Sequence, residues 1–525
     1  MQTRQRTRSR NMFFRVALVA MSIGAAADPL KEGFVTDAAF NSGYLVDDRF
    51  ATSGVYTDFY ASKAARLSDG DVVVVGLVPA AYQGDQANGL FNIGLVRYGS
   101  NGERPAWPAA TAMYASYFDR YLQYPNSYGK FGRIDEVVVV NGFIYVLADY
   151  IYSETDHYVQ IVVFNDWGGF VGAYSASSGL YESGIGMVTL TIGGVRKLVT
   201  VNTTYRLIGS FPQRYEYYLR MYRFDLAADG SVSNDNTFGS AGGTSIVDPD
   251  CTVTEGDCYL QATAISLVGS GTFVLGPYLI YAIGNYPCNP PISQYFCVES
   301  DDPLQILKLS PSTGALLSRS TSALHDPAAA SGGLESSARD IVASRSALVG
   351  GGFSDSAYAL ASVKAQCSNG LYYRRGAAVI RIDGNGNADT GFAGNGTLLF
   401  GGQPVGPTCP PGEAPTAEPK AITLGAYDRI GVVGSTSDKA ANPTHSDGFL
   451  AVIRADLGGI ADYAVHPALH YNDAPWGNYA GFNDVISYDN GTFTAAGSVT
   501  TEYNAYQFGT TRFKTDRVFA DDYGR

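Results

Sequence analysis

Two histidines near the end of the chain have a spacing that could serve metal chemistry. His466 and His470 belong to the sequence HPALH, and an i, i+4 pair on a helix can bind zinc. Pro467 would have to occupy the first turn of such a helix, and no Glu stands beside His466 as in the H-E-x-x-H hydrolases. The pattern therefore argues against a zinc enzyme.

Four side chains with oxygen donors alternate along a second segment. Asp383, Asn385, Asn387 and Asp389 are spaced like the first ligands of a calcium loop. However, Ala388 stands where such a loop has Gly, and no Glu closes a twelve-residue loop. The same segment is expected to form a hairpin turn, in which Asp and Asn are common. We therefore keep it only as a weak calcium candidate.

No nucleophile arrangement accompanies these groups. The sequence contains no G-x-S-x-G, no P-loop and no dinucleotide fingerprint. It has only 5 His, and none lies beside a convincing Ser or Cys partner. We assign no catalytic residue and no cofactor, apart from the weak calcium candidate.

The beginning of the chain has the composition of an export signal. Five arginines accompany an apolar run, VALVAMSIGAAA, from Val16 to Ala27, with small residues before Asp28. A run of about 12 residues suits a signal-peptide core and is too short to span a bilayer. We predict a signal peptide at 1–27, a single mature domain at 28–525 without a membrane span, and a periplasmic or extracellular location.

The charge of the chain limits its partners. The formal net charge of −13 becomes −18 when the five leader arginines are removed. Such a surface repels nucleic acid and anionic membranes. An extracellular glycan or a protein is the expected partner class, and the sequence leaves the oligomeric state open.

A loose internal repeat predicts the architecture. A polar or glycine turn followed by an apolar strand occurs seven times, as in SDGDVVVVG at 68–76. The copies are anchored on Gly76, Ala148, Asn202, Gly276, Gly350, Gly434 and Gly497, at intervals of 54 to 84 residues. A second hairpin follows each copy, so a unit holds four strands. This pattern predicts an all-β fold, a β-propeller of seven four-stranded blades, rather than a pair of β-sandwiches or an open solenoid.

The two ends of the chain indicate how the ring closes. VTDAAFNSGYL, close to the N-terminus, is similar to NADTGFAGNGTLL at 387–399, which ends a repeat unit. We predict that a strand from residues 34–46 completes the last blade. One short helix is expected near residues 109–122.

Three tail segments carry a family resemblance. RIDGNGNADTGFAGNG, DLAADGSVSNDNTFGSAGG and VTDAAFNSG, with strands such as DGDVVVVG, resemble the bacterial delta-60 repeat family. Units 1, 3, 5, 6 and 7 match the pattern, whereas units 2 and 4 lose most of the Asp-x-x-Phe-Gly tail, which leaves six or eight blades as alternatives. The resemblance implies an exported, propeller-like repeat domain and no defined reaction.

An even number of cysteines in an exported chain predicts disulfides. None of the 6 stands in a C-x-x-C pair, which makes zinc and thioredoxin-type redox chemistry weak alternatives. Fifteen connectivities are open. The pairing between sequence neighbours would be Cys251–Cys258, Cys288–Cys297 and Cys367–Cys409.

We name the strands of a blade A to D from the channel outward. The B–C and D–A connections leave by one face, here called the long-loop face, which holds all six cysteines. The A–B and C–D connections leave by the other, the short-turn face, which is expected to carry only short turns. Long loops on a rigid scaffold commonly carry function. Aromatic residues such as Tyr124, Tyr215 and Trp476 lie in the long loops, where they could stack on sugars or form a protein interface, or simply cover sheet edges.

The A strands bring polar residues to the channel mouth beneath these loops. This candidate ligand-binding set comprises Lys63, Asp135, Gln261, Arg339, Asp340, Lys420 and Asp484. Their mixed charges could bind a ligand or pair with one another and plug the channel. Two functions follow: a non-enzymatic propeller that binds a glycan or protein through its long-loop face, or a propeller hydrolase or lactonase that uses carboxylates, with or without calcium.

Overall fold

A computed structural model describes the chain in segments, and every regular element in them is a β-strand. The described residues are 34–36, 44–47, 60–79, 91–99, 114–117, 130–151, 157–177, 181–210, 213–240, 242–247, 258–268, 278–285, 304–322, 334–347, 353–366, 372–400, 416–426, 428–437, 446–456, 458, 460–466, 480–500 and 506–515. Runs of β-branched residues such as VVVVGLVP explain the strands, since branched side chains pack well on a pleated surface.

The first half of the chain contains β1 (Phe34–Thr36), β2 (Tyr44–Asp47), β3 (Tyr60–Arg66), β4 (Val72–Pro79), β5 (Phe91–Tyr98), β6 (Tyr114–Tyr117), β7 (Lys130–Val140), β8 (Phe143–Ile151), β9 (His157–Asn165), β10 (Phe170–Ser175), β11 (Ser183–Ile192), β12 (Val195–Ser210), β13 (Gln213–Leu226), β14 (Val232–Asn234), β15 (Gly243–Ile246) and β16 (Cys258–Tyr259). The second half contains β17 (Ala264–Val268), β18 (Leu279–Asn285), β19 (Leu304–Leu309), β20 (Leu316–Ser322), β21 (Leu334–Ala347), β22 (Phe353–Gln366), β23 (Tyr372–Ile382), β24 (Thr397–Phe400), β25 (Thr416–Gly425), β26 (Arg429–Ser437), β27 (Ser446–Arg454), β28 (Ile460–His466), β29 (Ala480–Ser487), β30 (Phe493–Thr500) and β31 (Tyr506–Thr515).

These strands form seven sheets, each an antiparallel meander, and the protein is a seven-bladed β-propeller. Blades 1, 2, 4, 5 and 6 are the four-stranded sheets that begin at β3, β7, β17, β21 and β25. Blade 3 has the meander β11 to β14, with β15 and β16 also paired to β13. Blade 7 consists of β29, β30 and β31, completed by β1 and β2.

The predicted closure of the ring is confirmed. Both N-terminal strands pair antiparallel with β31, in registers that include Phe34↔Thr515 and Tyr44↔Thr511. The outer edge of blade 3 has the same construction, because β14 and β15 pair in succession with β13. The similarity between the N-terminal sequence and the repeat tails therefore reflects a shared, interrupted D strand.

The hydrophobic core is divided among the seams between blades. Seven clusters of buried apolar side chains occupy the seven seams, for example Val162 and Leu95 between blades 1 and 2, and Phe482 and Leu450 between blades 6 and 7. Both faces of each sheet are therefore covered, which explains why the strands in mid-blade are apolar throughout instead of alternating.

The Asp-x-x-Phe tails have a defined structural role. In blade 3, Asp235 accepts a hydrogen bond from Arg223 Nε at 2.7 Å, while the buried Phe238 packs under the guanidinium, 4.4 Å from Arg223 Cζ to the ring centroid. Lys197 Nζ lies 2.8 Å from the same carboxylate, and these donors overcome burial to lower the pKa of Asp235. In blade 5, Asp389 likewise pairs with the C-strand Arg381 at 3.2 Å.

Cations on the C strands also tie blades together on the short-turn face. Each reaches a backbone carbonyl in the C–D turn of the next blade: Arg97 Nη1 to Asp166 O at 3.4 Å, Arg223 Nη1 to Ser312 O at 2.9 Å, and Lys308 Nζ to Gly384 O at 2.9 Å. A recurring cation near the end of the C strand therefore has a structural role.

Three sequence expectations need correction. The B strand of blade 5 is β22, so the repeat anchor Gly350 precedes it, and in blade 4 Gly284 takes the place assigned to Gly276. Residues 114–117, within the expected helix, form β6. The short-turn face also carries one longer connection within the described residues, at 383–396 in blade 5. An apolar strand next to a polar or glycine turn looks the same in the sequence whether it is an A or a B strand. This is why the sequence pattern predicts a B-strand anchor at Gly350, which follows the A strand β21.

None of the described segments contains a helix of the length and apolarity that crossing a membrane requires.

Candidate ligand-binding face

The inner strands share a β-bulge just below the long-loop face. The pairing register shifts at Ala61/Lys63 in β3, at Ile134/Glu136 in β7, at Ala338/Asp340 in β21 and at Phe482/Asp484 in β29. Glycine opposite the bulge permits close backbone approach in several blades: a Cβ at Gly434 would lie 2.1 Å from Glu418 O, and one at Gly497 would lie 1.9 Å from Gly481 O. Bulges re-aim side chains, and here the same bulge sets the direction of four charged residues.

Those four residues, Lys63, Glu136, Asp340 and Asp484, interact electrostatically across the channel. Burial raises the pKa of Glu136 to about 7 and that of Asp340 to about 6, although Lys63 opposes both shifts. Burial also raises the pKa of Asp484, again against Lys63. Burial alone lowers the pKa of Lys63, but the surrounding carboxylates reverse that effect and raise it. One ammonium group is thus the common counter-ion of several carboxylates.

Two of these carboxylates also join neighbouring blades. Asp340 Oδ1 accepts from Ile341 N at 2.8 Å, and its Oδ2 accepts from Ile422 N of blade 6 at 2.9 Å. Asp484 makes the same pair of bonds, from Val485 N at 2.9 Å and from Ala64 N of blade 1 at 2.7 Å. Because both oxygens of each carboxylate accept backbone hydrogens, these residues stabilise the ring.

The remaining predicted channel residues lie near the mouth and fall into separate groups. Arg339 and Lys420 share Glu418 across the seam of blades 5 and 6, with N–O distances of 3.5 and 2.9 Å. Gln261 precedes β17, and its carbonyl accepts from Gln305 Nε2 at 3.1 Å. The candidate set is therefore not one binding site, although all its members belong to the channel wall.

Asp135 belongs to a third group, at the seam of blades 2 and 3. Arg133 Nε donates to Asp135 Oδ1, and Arg133 Nη2 lies 3.2 Å from Asp149 Oδ2. Asp149 accepts from Ser183 Oγ at 2.6 Å and from Gly184 N at 2.8 Å. Burial, together with the charge of Asp149, raises the pKa of Asp135.

Among the described residues, the most exposed aromatic group on the long-loop face lies on blade 3. Strands β12 and β13 continue past the start of β11 and stay paired to Ser210↔Gln213, so the expected B–C loop is instead a projecting β-ribbon. The rings of Tyr205 and Tyr217, which are cross-strand partners, have centroids 5.6 Å apart. Tyr181, from the D–A connection, lies 5.4 Å from Tyr205. We call these three residues the tyrosine platform.

The other face of the ribbon is anchored. Thr204 and Glu216 are buried there, and Arg206 pairs with Glu216 while stacking over Tyr218 at 5.6 Å. The outer edge of the ribbon is covered as well, because β16 pairs in parallel with Glu216 and Tyr217 of β13. A ribbon supported on its face and its edge holds the platform in a fixed geometry.

A buried carboxylate fixes the segment that carries Tyr181. Glu182 is 1% exposed and accepts hydrogen bonds from Asn202 Nδ2 at 3.0 Å, Arg220 Nη1 at 2.9 Å and Tyr222 Oη at 2.9 Å. Tyr181 itself has a φ of 67°, in the left-handed region that bulky residues rarely adopt. The bonds of Glu182 compensate for that backbone strain.

Several predicted residues lie outside the described part of the chain. These are Tyr124 and Trp476, the side chain of Tyr215, and the cysteine side chains. Disulfide pairing stays a prediction. Tyr215 lies in β13, paired in backbone register with Leu207, and Cys258 lies in β16.

The weak calcium candidate forms a hydrogen-bonded turn. Asp383 Oδ1 accepts from Asn385 N and Asn387 N, both at 2.9 Å, and Asp389 pairs with Arg381. Of the histidine pair, His466 ends β28, and His470 lies outside the described residues. Within the described ranges, no group of three or more His, Cys, Asp or Glu side chains is arranged to hold a metal ion.

The fold brings to this face several residues that the sequence patterns do not single out. Glu136 could have been found, because it occupies the register position of Lys63 and Asp484 in its own blade. Tyr181 and Glu182 had no such signal, since their importance depends on a contact with the ribbon of the same blade. Asp149 lies on a B strand, where an apolar side chain was expected.

Comparison with known proteins adds no argument about this chain. No family model matches the chain, and no curated protein sequence does. Similar solved structures include a protein of unknown function from Dyadobacter fermentans, with 9% identity, a TM-score of 0.38, and coverage of 93% of this chain and 100% of that one. A neuraminidase-like protein from A/bat/Guatemala/164/2009 has 9% identity, a TM-score of 0.33, and coverage of 90% and 94%. Synechocystis apocarotenoid oxygenase (a Trp149Ala mutant) has 10% identity, a TM-score of 0.36, and coverage of 77% and 71%. Such low similarity carries no argument about activity.

Proposed function

We propose that this protein is an exported, non-enzymatic β-propeller that binds a neutral glycan through its long-loop face. The observation that carries the proposal is the tyrosine platform, in which Tyr181 and Tyr205 are 40% and 36% exposed. Tyrosine rings offer a flat apolar face and a polar edge, which matches the C–H faces and hydroxyl groups of a sugar ring. Few rotatable bonds keep the ordering entropy low on binding.

The size of the platform favours a glycan over a protein partner. A stable protein interface usually covers about 800 Å² on each partner. On this face, the large apolar side chains that the described residues expose are Tyr181, Tyr205, Leu207 and Val247, which is a small set. The acidic chain also disfavours anionic glycans, because like charges repel over the whole surface.

The hydrolase or lactonase alternative has less support. Asp340 and Asp484 each use both carboxylate oxygens in backbone hydrogen bonds that join blades. A general acid or base needs an oxygen within hydrogen-bond reach of a substrate. The channel carboxylates are therefore better explained as structural groups.

The test begins with the mature protein on an array of neutral and acidic glycans, followed by calorimetry with the best neutral glycan. Tyr205→Ala should weaken binding about tenfold or more, equivalent to about 1.4 kcal/mol. The matched control is Trp167→Ala, which removes a 52% exposed aromatic side chain from the short-turn face. Absence of any glycan binding by the wild type, or an equal loss in both variants, would overturn the proposal.

A further inference from the structure

The segment that carries Tyr181 is held from two sides. Glu182 anchors it to blade 3 through Asn202, Arg220 and Tyr222. The next two residues, Ser183 and Gly184, are anchored to blade 2 by different groups. How firmly this second anchor holds depends on the charges in it.

The blade 2 anchor contains two carboxylates and one guanidinium group. Asp149 accepts from Ser183 Oγ at 2.6 Å and from Gly184 N at 2.8 Å, while Arg133 Nη2 donates to Gly184 O at 2.6 Å. Asp135 Oδ1 accepts from Arg133 Nε. Its other oxygen, Oδ2, lies against Gly184, where an added Cβ would be only 2.3 Å away.

Asp135 is buried, with 7% of its surface exposed. Its Oδ2 atom receives no hydrogen bond from any described residue. Asp149 is nearly as buried, at 8%. Two buried carboxylates that share one arginine leave one negative charge uncompensated, which is costly in a site of low polarity. A proton on Asp135, donated to Asp149, would remove that charge and satisfy the free oxygen.

Other charged groups near Asp135 do not remove the need for that proton. On its own strand it is next to Glu136, a further acid, and Arg133 is already counted. Lys63 of blade 1 interacts with Asp135, but it also interacts with Glu136, Asp340 and Asp484. Among the described residues of blade 3, the anchor receives the hydroxyl group of Ser183 and the backbone of Gly184.

We infer that a proton on Asp135, donated in a hydrogen bond to Asp149, holds the Tyr181 segment in place, so that loss of this proton at higher pH weakens binding at the tyrosine platform. The inference rests on the proposed function for its binding part only. When the proton leaves, two anions face each other beside Gly184, and the anchor on blade 2 loosens. Asp135 and Asp149 act here as positioning residues, because neither belongs to the platform.

The sign of the effect follows from the pKa of Asp135. Burial and the charge of Asp149 raise it in the folded protein, so the folded state keeps a proton that the unfolded state releases. The proton therefore contributes fully to the free energy of unfolding at low pH, and this contribution is lost as pH rises through the raised pKa. Above that value affinity should fall by up to about tenfold for each pH unit, until it reaches the affinity of the deprotonated protein.

The test uses two readouts between about pH 5 and about pH 10. The first is calorimetric affinity for the best neutral glycan, and the second is tryptophan emission from Tyr181→Trp without ligand. Both should change with pH in the Asp135 background, and both should be flat with Asp135→Asn, because an amide can donate to Asp149 at every pH. The control is Asp489→Asn, which alters an exposed carboxylate on the short-turn face.

The outcomes separate the two proposals. A pH transition in the emission that Asp135→Asn abolishes, with no glycan binding at all, would support the proton on Asp135 and reject the proposed function. Identical pH profiles with and without Asp135→Asn would overturn the inference. If that variant does not fold, the wild-type infrared spectrum decides: a buried protonated carboxyl band must be present at neutral pH and disappear with rising pH.

Discussion

The two faces of the propeller use charge in opposite ways. On the short-turn face, cations such as Arg97, Arg223 and Lys308 reach carbonyls of the next blade, and Arg97 and Arg223 are also paired with carboxylates. On the long-loop face, acids outnumber their cationic partners, and the pKa values of Asp135 and Glu136 are raised. The first face pairs its cations with carboxylates and carbonyls, whereas the second buries more carboxylates than it has cations to compensate them, beside exposed aromatic rings. That difference is what makes the long-loop face the better candidate for function.

The largest expected effect concerns the compensated charges of the short-turn face. Arg223→Ala should lower the free energy of unfolding by about 3–5 kcal/mol, because it leaves the buried Asp235 short of a partner and uncovers Phe238. Chemical denaturation measures the change. Arg454→Ala is the control, since Arg454 pairs with the half-exposed Asp456 and should cost about 1 kcal/mol or less. An equal loss of unfolding free energy in the two variants would show that burial does not make the Arg223 pair stronger than the Arg454 pair.

An intermediate effect is expected from an uncompensated acid of the long-loop face. The pKa of Glu136 is raised from 4.5 to about 7, so the folded state holds a proton that the unfolded state loses between these values. Across that interval the wild type should lose up to about 1.4 kcal/mol of stability per pH unit through this group. Glu136→Gln should remove this part of the pH dependence.

Denaturation at several pH values compares the two proteins, with Asp489→Asn as the exposed control. Asp340 contributes in the same direction and remains in the variant, so the difference between the two curves is the relevant quantity. A wild type that gains stability relative to Glu136→Gln as pH rises would contradict the assignment.

The smallest expected effect compares two strained residues, one on each face. Tyr181 and Asn141 both have positive φ angles, of 67° and 53°. Tyr181→Gly should leave the free energy of unfolding unchanged or raise it by up to about 1 kcal/mol, because relief of strain offsets lost packing. Glycan binding should nevertheless weaken, since a platform ring is lost.

Asn141→Gly is the matched change on the short-turn face, where Asn tolerates the left-handed conformation. It should alter stability by about 0.5 kcal/mol or less and leave binding unchanged. A marked loss of stability in Tyr181→Gly would mean that its conformation serves packing and not binding.

The blade count and ring closure could be predicted from the sequence because they depend on local, repeated signals. Strand composition and turn residues recur in each unit, the Asp-x-x-Phe tail recurs in five of the seven, and the N-terminal tail sequence predicted its own pairing with β31. The channel carboxylates could also be predicted, because the inner strands of all blades converge on the axis. Their grouping was not, because it depends on bulges at Ala338/Asp340 and Phe482/Asp484 that no local pattern signals.

The tyrosine platform was only partly predictable. The sequence places Tyr215 in a long loop, whereas the structure extends β12 and β13 as a β-ribbon that pairs Tyr205 with Tyr217. Tyr181 joins them from another connection, at a contact distance that only the fold defines. The same holds for the anchor of that segment, which combines Arg133 and Asp135 from one strand with Asp149 from the next.

The pairing of the chain ends has a mechanical consequence. Phe34 pairs with Thr515 at one end of the ladder and Asp47 pairs with Phe508 at the other, so residues 34 and 515 lie side by side. A load applied at these two points would break the hydrogen bonds of the antiparallel ladder one after another, as in a zipper, instead of shearing them together. The propeller should therefore open at a low force when it is stretched from these points. A load applied between blades 2 and 5 would instead act on complete four-stranded sheets, whose hydrogen bonds would share it.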